Sequence, residues 1–258
     1  MSISEIANKK VGLVLSGGGM RGIGHLGVIK ALEEHNIKPC VLSGTSAGAI
    51  IGAFYAAGHS PDEIMSIAQE TRFFSPVNLR LRKGGWFGTS AFKMLYQRYF
   101  PDNKLENLKI PLYVAATDIS EANTEYFNEG DLCNALLASA CLPLVFPAVS
   151  FNGKTYLDGG ITDNLPIEPI KTQCDFLIGV HVNALDKHVA GTLSRRQMLD
   201  RSYHLLLNNT VYMKVPFCDL FIDPPDMTRF SMFDKKQITE MFDYTYDYTL
   251  QLLQEKGY

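Results

Sequence analysis

A serine stands between two glycines in the pentapeptide GTSAG at residues 44–48, directly after an apolar run. A G-x-S-x-G pattern between a strand and a helix is typical of a nucleophile held on a sharp turn, and Gly44 and Gly48 leave room for that turn around Ser46. The usual alternative is a helix N-cap, because a serine hydroxyl accepts hydrogen bonds from free N–H groups of the first turn. The pentapeptide alone leaves both interpretations open.

A glycine-rich loop follows an earlier apolar run at residues 11–15. The loop consists of Gly17, Gly18, Gly19, Met20, Arg21 and Gly22. Consecutive glycines before a helix leave backbone N–H groups exposed and allow a reacting group to approach them closely, which suits a phosphate or an oxyanion. The loop also fits G-x-G-x-x-G, but a dinucleotide site needs an acidic residue at the end of the second strand, and SGTSAG stands there instead. We therefore expect no nucleotide cofactor.

A carboxylate completes the set of reactive groups. Asp158 ends a short strand pattern and is followed by Gly159 and Gly160, which place it at an open turn, although Asp-Gly is also a common turn pair without catalytic meaning. A serine needs a base to become a nucleophile, and the developing oxyanion needs preorganised donors. The serine, the carboxylate and the glycine loop could supply the nucleophile, the base and the oxyanion donors, so their combination favours catalysis.

No histidine is clearly placed to act as that base. His181 follows a strand pattern, and the order Ser46, Asp158, His181 matches a hydrolase triad. The α/β-hydrolase fold, however, places its nucleophile after several strands, whereas one strand–helix unit precedes Ser46 here, so we favour an arrangement without His181. His25, inside the first helix, is expected to be structural, and Asp118 is expected to cap a turn.

Short aliphatic runs alternate with longer helical patterns along the chain. Strands are predicted at residues 11–15, 40–44, 110–118, 124–128, 154–160, 175–182 and 219–224. Helices are predicted at residues 22–35, 46–58, 60–70, 89–99, 130–140, 193–214 and 234–255. This alternation predicts an α/β fold with a mainly parallel sheet covered on both faces by helices. No repeat or shift in composition marks a boundary, so we expect one domain over residues 1–258.

Composition limits the partners and the compartment. The formal net charge of -3 gives no electrostatic case for a nucleic-acid partner. The five cysteines are scattered without a CxxC pair, which is untypical of a disulfide framework or a zinc site, and no metal is expected. The apolar runs are too short for a signal peptide or a membrane span, so we expect a soluble, cytoplasmic protein.

One irregular stretch, residues 75–88, combines basic and aromatic side chains. Arg80, Arg82 and Lys83 stand close to Trp86 and Phe87. Such a mixture could rest transiently on an anionic membrane surface. A surface loop whose aromatic side chains fold inward is the interpretation that we favour, because connecting loops are mostly polar surface segments.

Taken together, the three motifs resemble those of the patatin-like phospholipases, a family of serine lipid acyl hydrolases. The family is marked by a G-G-G-x-[R/K]-G loop, a G-x-S-x-G turn and a D-G-[G/A] turn, and all three occur here in the family's order. The stretches ASACLPLVFPAV at residues 138–149 and DNLPIEPI at residues 163–170 are also similar to family segments. The resemblance extends over about residues 11–182.

The resemblance implies a three-layer α/β sandwich and a catalytic dyad, with Ser46 as the nucleophile and Asp158 as the general base. It assigns the oxyanion hole to backbone N–H groups around Gly17, Gly18 and Gly19. It further implies a lipid ester substrate, an acyl-Ser46 intermediate and no cofactor, with Arg21 orienting the loop or meeting a phosphate. The alternative is a lipid-binding or regulatory module that keeps the scaffold with little turnover.

Overall fold

The computed structural model describes residues 2–70, 90–143, 145–185, 192–230, 232 and 236–258. The described strands are β1 (Val11–Leu15), β2 (Pro39–Thr45), β3 (Leu112–Asp118), β4 (Asn123–Phe127), β5 (Val149–Phe151), β6 (Lys154–Asp158), β7 (Phe176–Val180) and β8 (Leu220–Ile222). The described α-helices are α1 (Ile3–Ala7), α2 (Gly24–Glu34), α3 (Ala47–Ala57), α4 (Pro61–Glu70), α5 (Ser90–Tyr99), α6 (Leu132–Ser139), α7 (Arg195–Tyr212) and α8 (Ile238–Glu255). The basic and aromatic stretch with Trp86 and Phe87 lies outside the described residues.

One mixed sheet holds all eight described strands, in the order β5-β6-β3-β2-β1-β7-β8, with β4 paired to β3. The pairs β1–β2, β1–β7, β2–β3 and β7–β8 are parallel. The pairs β3–β4, β3–β6 and β5–β6 are antiparallel. The sheet therefore has a parallel centre and an antiparallel end, and the prediction of a mainly parallel sheet is confirmed.

Strand β3 is shared by two neighbours along one of its edges. Strand β4 pairs with one edge of β3 from Val114 to Asp118. Because a strand has only two edges for pairing, β2 and β6 must both lie on the other edge of β3. There β2 pairs with the first part of β3, ending with Thr45 opposite Ala115. Strand β6 continues along the same edge, with Asp158 opposite Ala116. The chain that leaves β2 and the end of β6 therefore meet at adjacent positions.

Helices cover both faces of the sheet, as the alternation of patterns predicts. Leu13 and Leu15 of β1 point into the larger core, which includes residues of α2, α3, α6 and α8. Val14, between them, points into a second core on the other face, where it packs with Val211 of α7. Strand β1 is buried along its whole length. This continuous burial explains why its sequence is a run of apolar residues rather than an alternating pattern.

The structure corrects several predicted boundaries. The helix predicted from residue 22 begins with a 3₁₀ turn over Gly19–Ile23 and becomes α-helical at Gly24. The α-helix predicted from residue 234 begins at Ile238. Strand β5 and helix α1 were not predicted, because three and five residues are too short to show a periodic pattern. The start of α4 is as predicted, since the side chains of Ser60 and Glu63 form a capping box.

In the described part of the chain, no helix is both long enough and apolar enough to span a bilayer.

Replacement of Gly48 by alanine is expected to destabilise the protein by about 3 kcal/mol. A Cβ atom there would lie 2.3 Å from the carbonyl oxygen of Leu15 and 2.5 Å from that of Ser16, and backbone atoms cannot rotate away. Gly52 of the same helix is the matched control, because its Cβ would meet only side-chain ends, 3.2 Å from Leu112 Cδ1. Alanine favours helix by roughly 1 kcal/mol, so Gly52→Ala should be close to neutral or stabilising. Urea unfolding measures both, and equal effects would contradict the packing argument.

Candidate active site

Ser46 lies in a strained turn between β2 and α3. Its backbone has φ 53° and ψ -120°, a conformation that non-glycine residues rarely adopt. The turn is tight enough that a Cβ on Gly44 would lie 2.7 Å from the backbone nitrogen of Ala49. The Ser46 N–H donates to Ser139 Oγ at 2.8 Å, and the Ser46 hydroxyl caps no N–H of α3. Ser46 therefore occupies the N-cap position without acting as a cap, so its hydroxyl is available for other chemistry.

The Ser46 hydroxyl donates a hydrogen bond directly to Asp158, with 2.7 Å between Ser46 Oγ and Asp158 Oδ2. The second carboxylate oxygen accepts the Gly160 N–H at 2.8 Å. The Asp158 main-chain carbonyl accepts the Thr117 hydroxyl at 2.8 Å, which fixes the end of β6 against β3. The structure thus brings together the serine and the carboxylate that the sequence singled out.

Burial changes the acidity of Asp158, whose exposed fraction is 3%. Removal from water raises the pKa of the Asp158 carboxyl to about 6, although the hydrogen bonds from the Ser46 hydroxyl and the Gly160 N–H oppose this rise. The group is therefore ionised at neutral pH, yet it is more basic than an exposed aspartate. A pKa near the working pH is the property that a general base requires.

The glycine loop lies against Ser46. A Cβ on Gly17 would be 3.2 Å from Ser46 Cβ. The N–H of Gly17 donates to Asn164 Oδ1 at 3.0 Å and is therefore already engaged. The N–H groups of Gly18 and Gly19 have no acceptor among the residues that the structure describes. Asn164 thus engages one of the three predicted glycine donors.

Arg21 fixes the far side of the loop. The residue is 8% exposed, and its guanidinium donates to the Phe230 carbonyl at 2.8 Å, to Asn183 Oδ1 at 2.5 Å and to the Thr228 carbonyl at 3.3 Å. These bonds connect the loop to segments that follow β7 and β8. That Arg21 orients the loop stays a prediction. Next to it, Met20 donates its N–H to the Met232 carbonyl at 2.9 Å.

Sequence reasoning missed three residues that hold the site in place. Ser139 accepts the Ser46 N–H, Asn164 accepts the Gly17 N–H, and Thr117 donates to the Asp158 carbonyl. Ser139 and Asn164 belong to the two accessory stretches that support the family resemblance, but nothing in the sequence alone assigned them a partner. Their partners are 93 and 147 residues distant along the chain.

His181 is not part of this group. Its Nδ1 pairs with Asp223 Oδ1 at 2.9 Å, and its ring stacks on Phe221. In a triad, the imidazole stands between the serine and the carboxylate, whereas here Ser46 contacts Asp158 without an intermediary. The alternative triad of Ser46, Asp158 and His181 is therefore not formed.

The other candidate residues have structural environments. His25 is fully buried with Nε2 2.8 Å from the Ser16 carbonyl, and burial lowers its pKa to about 4, so the ring is neutral at physiological pH. Asp118 accepts the N–H groups of Ser120 and Glu121 and pairs with Lys154, as expected of a turn cap. Among the described residues, no three His, Cys, Asp or Glu side chains are grouped to hold a metal ion.

Replacement of Asp158 by asparagine is expected to stabilise the protein at neutral pH. An aspartate whose pKa is raised on folding, here to about 6 from 3.8, lowers the stability of the folded state once the pH exceeds the unfolded value. This loss of folding free energy grows as the pH rises from about 4 to about 6. The difference between the folded and unfolded pKa values limits the loss to about 3 kcal/mol. Asparagine carries no charge, so Asp158→Asn should increase the free energy of unfolding at pH 7.5, and the gain should disappear near pH 4.

Asp118→Asn is the matched control for this measurement. Burial opposes ionisation of Asp118, but the bonds from Lys154 and from two backbone N–H groups prevail and lower its pKa. Loss of that charge should therefore destabilise the protein at pH 7.5, whereas Asp158→Asn should stabilise it. Urea unfolding at both pH values gives the comparison, and a destabilised Asp158→Asn variant at pH 7.5 would contradict the burial argument.

Comparison with known proteins places the chain in a family. The family model described as patatin-like phospholipase matches residues 13–171. Lysophospholipase NTE1 of Eremothecium gossypii is 33% identical over 190 residues, which cover 70% of this chain and 12% of that protein. Lysophospholipase NTE1 of Saccharomyces cerevisiae is 32% identical over 191 residues, covering 70% of this chain and 11% of that protein. The chain thus spans only about an eighth of the length of these curated relatives.

A solved structure shares the fold. VipD from Legionella pneumophila aligns with a TM-score of 0.61 and 17% identity, covering 95% of this chain and 67% of that chain. The fold is thus the predicted α/β arrangement of helices around a mainly parallel sheet. Because the family match covers more than half of the chain and includes the glycine loop, the serine turn and the Asp158 turn, this chain belongs to the patatin-like phospholipase family.

Proposed function

We propose that this protein is a serine acyl hydrolase that cleaves ester bonds of phospholipids or related lipids. The observation that supports this proposal most strongly is the 2.7 Å contact between Ser46 Oγ, on its strained turn, and the buried carboxylate of Asp158. A serine hydroxyl is a weak nucleophile unless a base is positioned to take its proton. Here the base is in contact with the hydroxyl before any substrate binds.

In the first step, Ser46 Oγ attacks the carbonyl carbon of the ester while Asp158 Oδ2 accepts the hydroxyl proton. The raised pKa of Asp158, about 6, makes the carboxylate a better proton acceptor than an exposed aspartate, and it remains ionised at neutral pH. The Gly160 N–H holds the other carboxylate oxygen, which keeps Oδ2 directed at the serine. The product of this step is a tetrahedral intermediate with a negatively charged oxygen.

Two backbone donors are suited to that oxygen. The resemblance assigned three glycines to the oxyanion hole, but Asn164 engages the Gly17 N–H, so we assign the role to Gly18 and Gly19. The N-terminus of α3, which begins directly after Ser46, adds the positive end of a helix dipole. Fixed donors of this kind stabilise the charge without rearrangement during the reaction.

Collapse of the intermediate breaks the ester bond, and the proton held by Asp158 passes to the departing alcohol oxygen. The acyl group remains on Ser46 Oγ as an ester. A water molecule then attacks the acyl carbon while Asp158 accepts its proton, and a second tetrahedral intermediate forms. Its collapse releases the fatty acid and returns the proton to Ser46 Oγ, so the enzyme is regenerated without a metal or a redox cofactor.

The substrate class follows from the relatives. Those described above are named lysophospholipases, and we propose that a phospholipid or lysophospholipid ester is the substrate here.

We also propose that residues 1–258 work as one domain, because α8 packs on the same core as α2. The described cysteines are unpaired, which fits a reducing compartment such as the cytoplasm. The alternative is a lipid-binding module with little turnover.

Hydrolysis of a short p-nitrophenyl ester tests the proposed dyad. Ser46→Ala and Asp158→Asn should each lower kcat/KM by about a thousandfold or more, because serine and base act as one unit. His181→Gln should retain activity within about tenfold, since His181 contacts Asp223 rather than Asp158. Thermal melting of each variant confirms that it is folded.

Two results would overturn this assignment. A folded His181→Gln variant as inactive as Ser46→Ala would restore the triad. A folded wild-type protein that hydrolyses neither this ester nor a panel of fluorogenic phospholipids would favour the binding module.

The pH dependence of the same reaction reports the base. Because Asp158 must be ionised to accept a proton, kcat/KM should rise with pH and reach a plateau above a midpoint near pH 6. The residual activity of Asp158→Asn, corrected for spontaneous hydrolysis, should lack this midpoint. A wild-type midpoint below about pH 4.5 would show that burial does not raise the pKa of Asp158 in the working enzyme.

A further inference from the structure

Helix α7 exposes a row of apolar side chains that the proposed chemistry does not use. Their exposed fractions lie between 45% and 76%. We name as the α7 stripe the side chains of Met198, Leu205, Leu206 and Tyr212 of α7, together with Met213, which directly follows the helix. The four residues within the helix stand at positions i, i+7, i+8 and i+14, a spacing that places them along one side of α7. Four large exposed apolar groups on one side exceed the isolated exposed residues of an ordinary surface.

The opposite side of α7 is already packed into the protein. Leu207 and Val211 are buried there, together with His204 and Asn208. Leu207 also lies against the active site, because a Cβ atom added to Gly160 would be 2.7 Å from Leu207 Cδ2. One side of α7 therefore supports the turn that holds Asp158, while the α7 stripe faces outward from the same helix.

The sequence of α7 is basic at its N-terminal end. The sequence of α7 contains three arginines, at positions 195, 196 and 201, and one aspartate, at position 200. Its formal charge is therefore +2, in a chain whose net charge is -3. The arginines stand at the N-terminal end of the stripe. Beyond its other end, Lys171 Nζ lies 5.9 Å from the ring of Phe217, whose side chain is 64% exposed. Basic residues therefore stand at the N-terminal end of the stripe and beside Phe217 beyond its other end, while Asp223 accepts the Tyr212 hydroxyl at 3.2 Å.

We propose that the α7 stripe docks the protein on an anionic phospholipid surface. A helix that presents large apolar groups flanked by arginine and lysine lies in the plane of a bilayer interface, with the apolar groups among the acyl chains and the cations at the headgroups. Docking here would place the active site at the membrane, because α7 contacts the Asp158 turn. The inference rests on the proposed lipid substrate.

A lipid surface fits this side of the helix better than a second copy of the chain. In a symmetric pair, the same surface meets itself, so two arginine-bearing helices of like charge would be brought together. An anionic bilayer supplies the opposite charge to the arginine-bearing end of the stripe. The choice of occupant therefore follows from charge complementarity.

Vesicle cosedimentation tests docking separately from catalysis. The Ser46→Ala protein is used throughout, so that no lipid is consumed, with phosphatidylcholine vesicles that contain or lack phosphatidylglycerol. Adding L206S and M213S should lower the partition coefficient on anionic vesicles by about tenfold or more. The matched control is M94S with I119S, two exposed apolar residues outside α7 whose exposed fractions are 67% and 47%, and it should leave partition unchanged. High salt should weaken binding to the anionic vesicles.

Three outcomes would overturn the docking proposal. Equal partition of the α7 variant and the control would exclude the α7 stripe as the contact. Absence of binding by the Ser46→Ala protein would exclude docking altogether. Self-association of that protein in gel filtration, abolished by L206S and M213S, would show that the stripe joins two copies of the chain. Ester turnover is measured independently, so a failure of docking and a failure of the hydrolase proposal remain distinguishable.

Discussion

The hydrogen bond between Ser46 and Asp158 joins two residues that are 112 positions apart, and strand β3 is what brings them together. Strand β2 occupies the first part of one edge of β3, and β6 occupies the rest of that edge in the opposite direction. Ser46 follows the last residue of β2, and Asp158 is the last residue of β6. The contact also requires a glycine, because a Cβ on Gly159 would lie 2.2 Å from the Ala115 carbonyl oxygen.

This geometry lowers stability at two points. The backbone of Ser46 is held at a positive φ, and the carboxylate of Asp158 is held away from water. Each is unfavourable by itself and persists only when the surroundings fix it. Ser139 fixes the serine turn through its hydroxyl, while the Gly160 N–H and the Thr117 hydroxyl fix the aspartate. The large apolar cores on both faces of the sheet supply the favourable free energy that sustains this strain.

The parts of the structure that the sequence predicted are those with local causes. The apolar run of β1 and the capping box of α4 depend on residues close together in the chain, and both were predicted correctly. The family resemblance extended this to the pairing of Ser46 with Asp158. The partner of Gly17 could not be predicted, because Asn164 reaches it only through the order of strands in the sheet. For the same reason the resemblance implied three glycine donors, although Asn164 already engages the Gly17 N–H.

Sheet order also favours the proposed dyad over a triad, a choice that chain order leaves open. His181 follows β7, and β7 pairs with β1 on the side away from β2, so the glycine loop after β1 separates His181 from Ser46. Its ring pairs instead with Asp223, just after β8. Without an imidazole between them, Asp158 must itself accept the serine proton in the proposed mechanism. Burial raises its pKa far enough for that role, so the feature that lowers stability is also the one that makes the carboxylate a useful base.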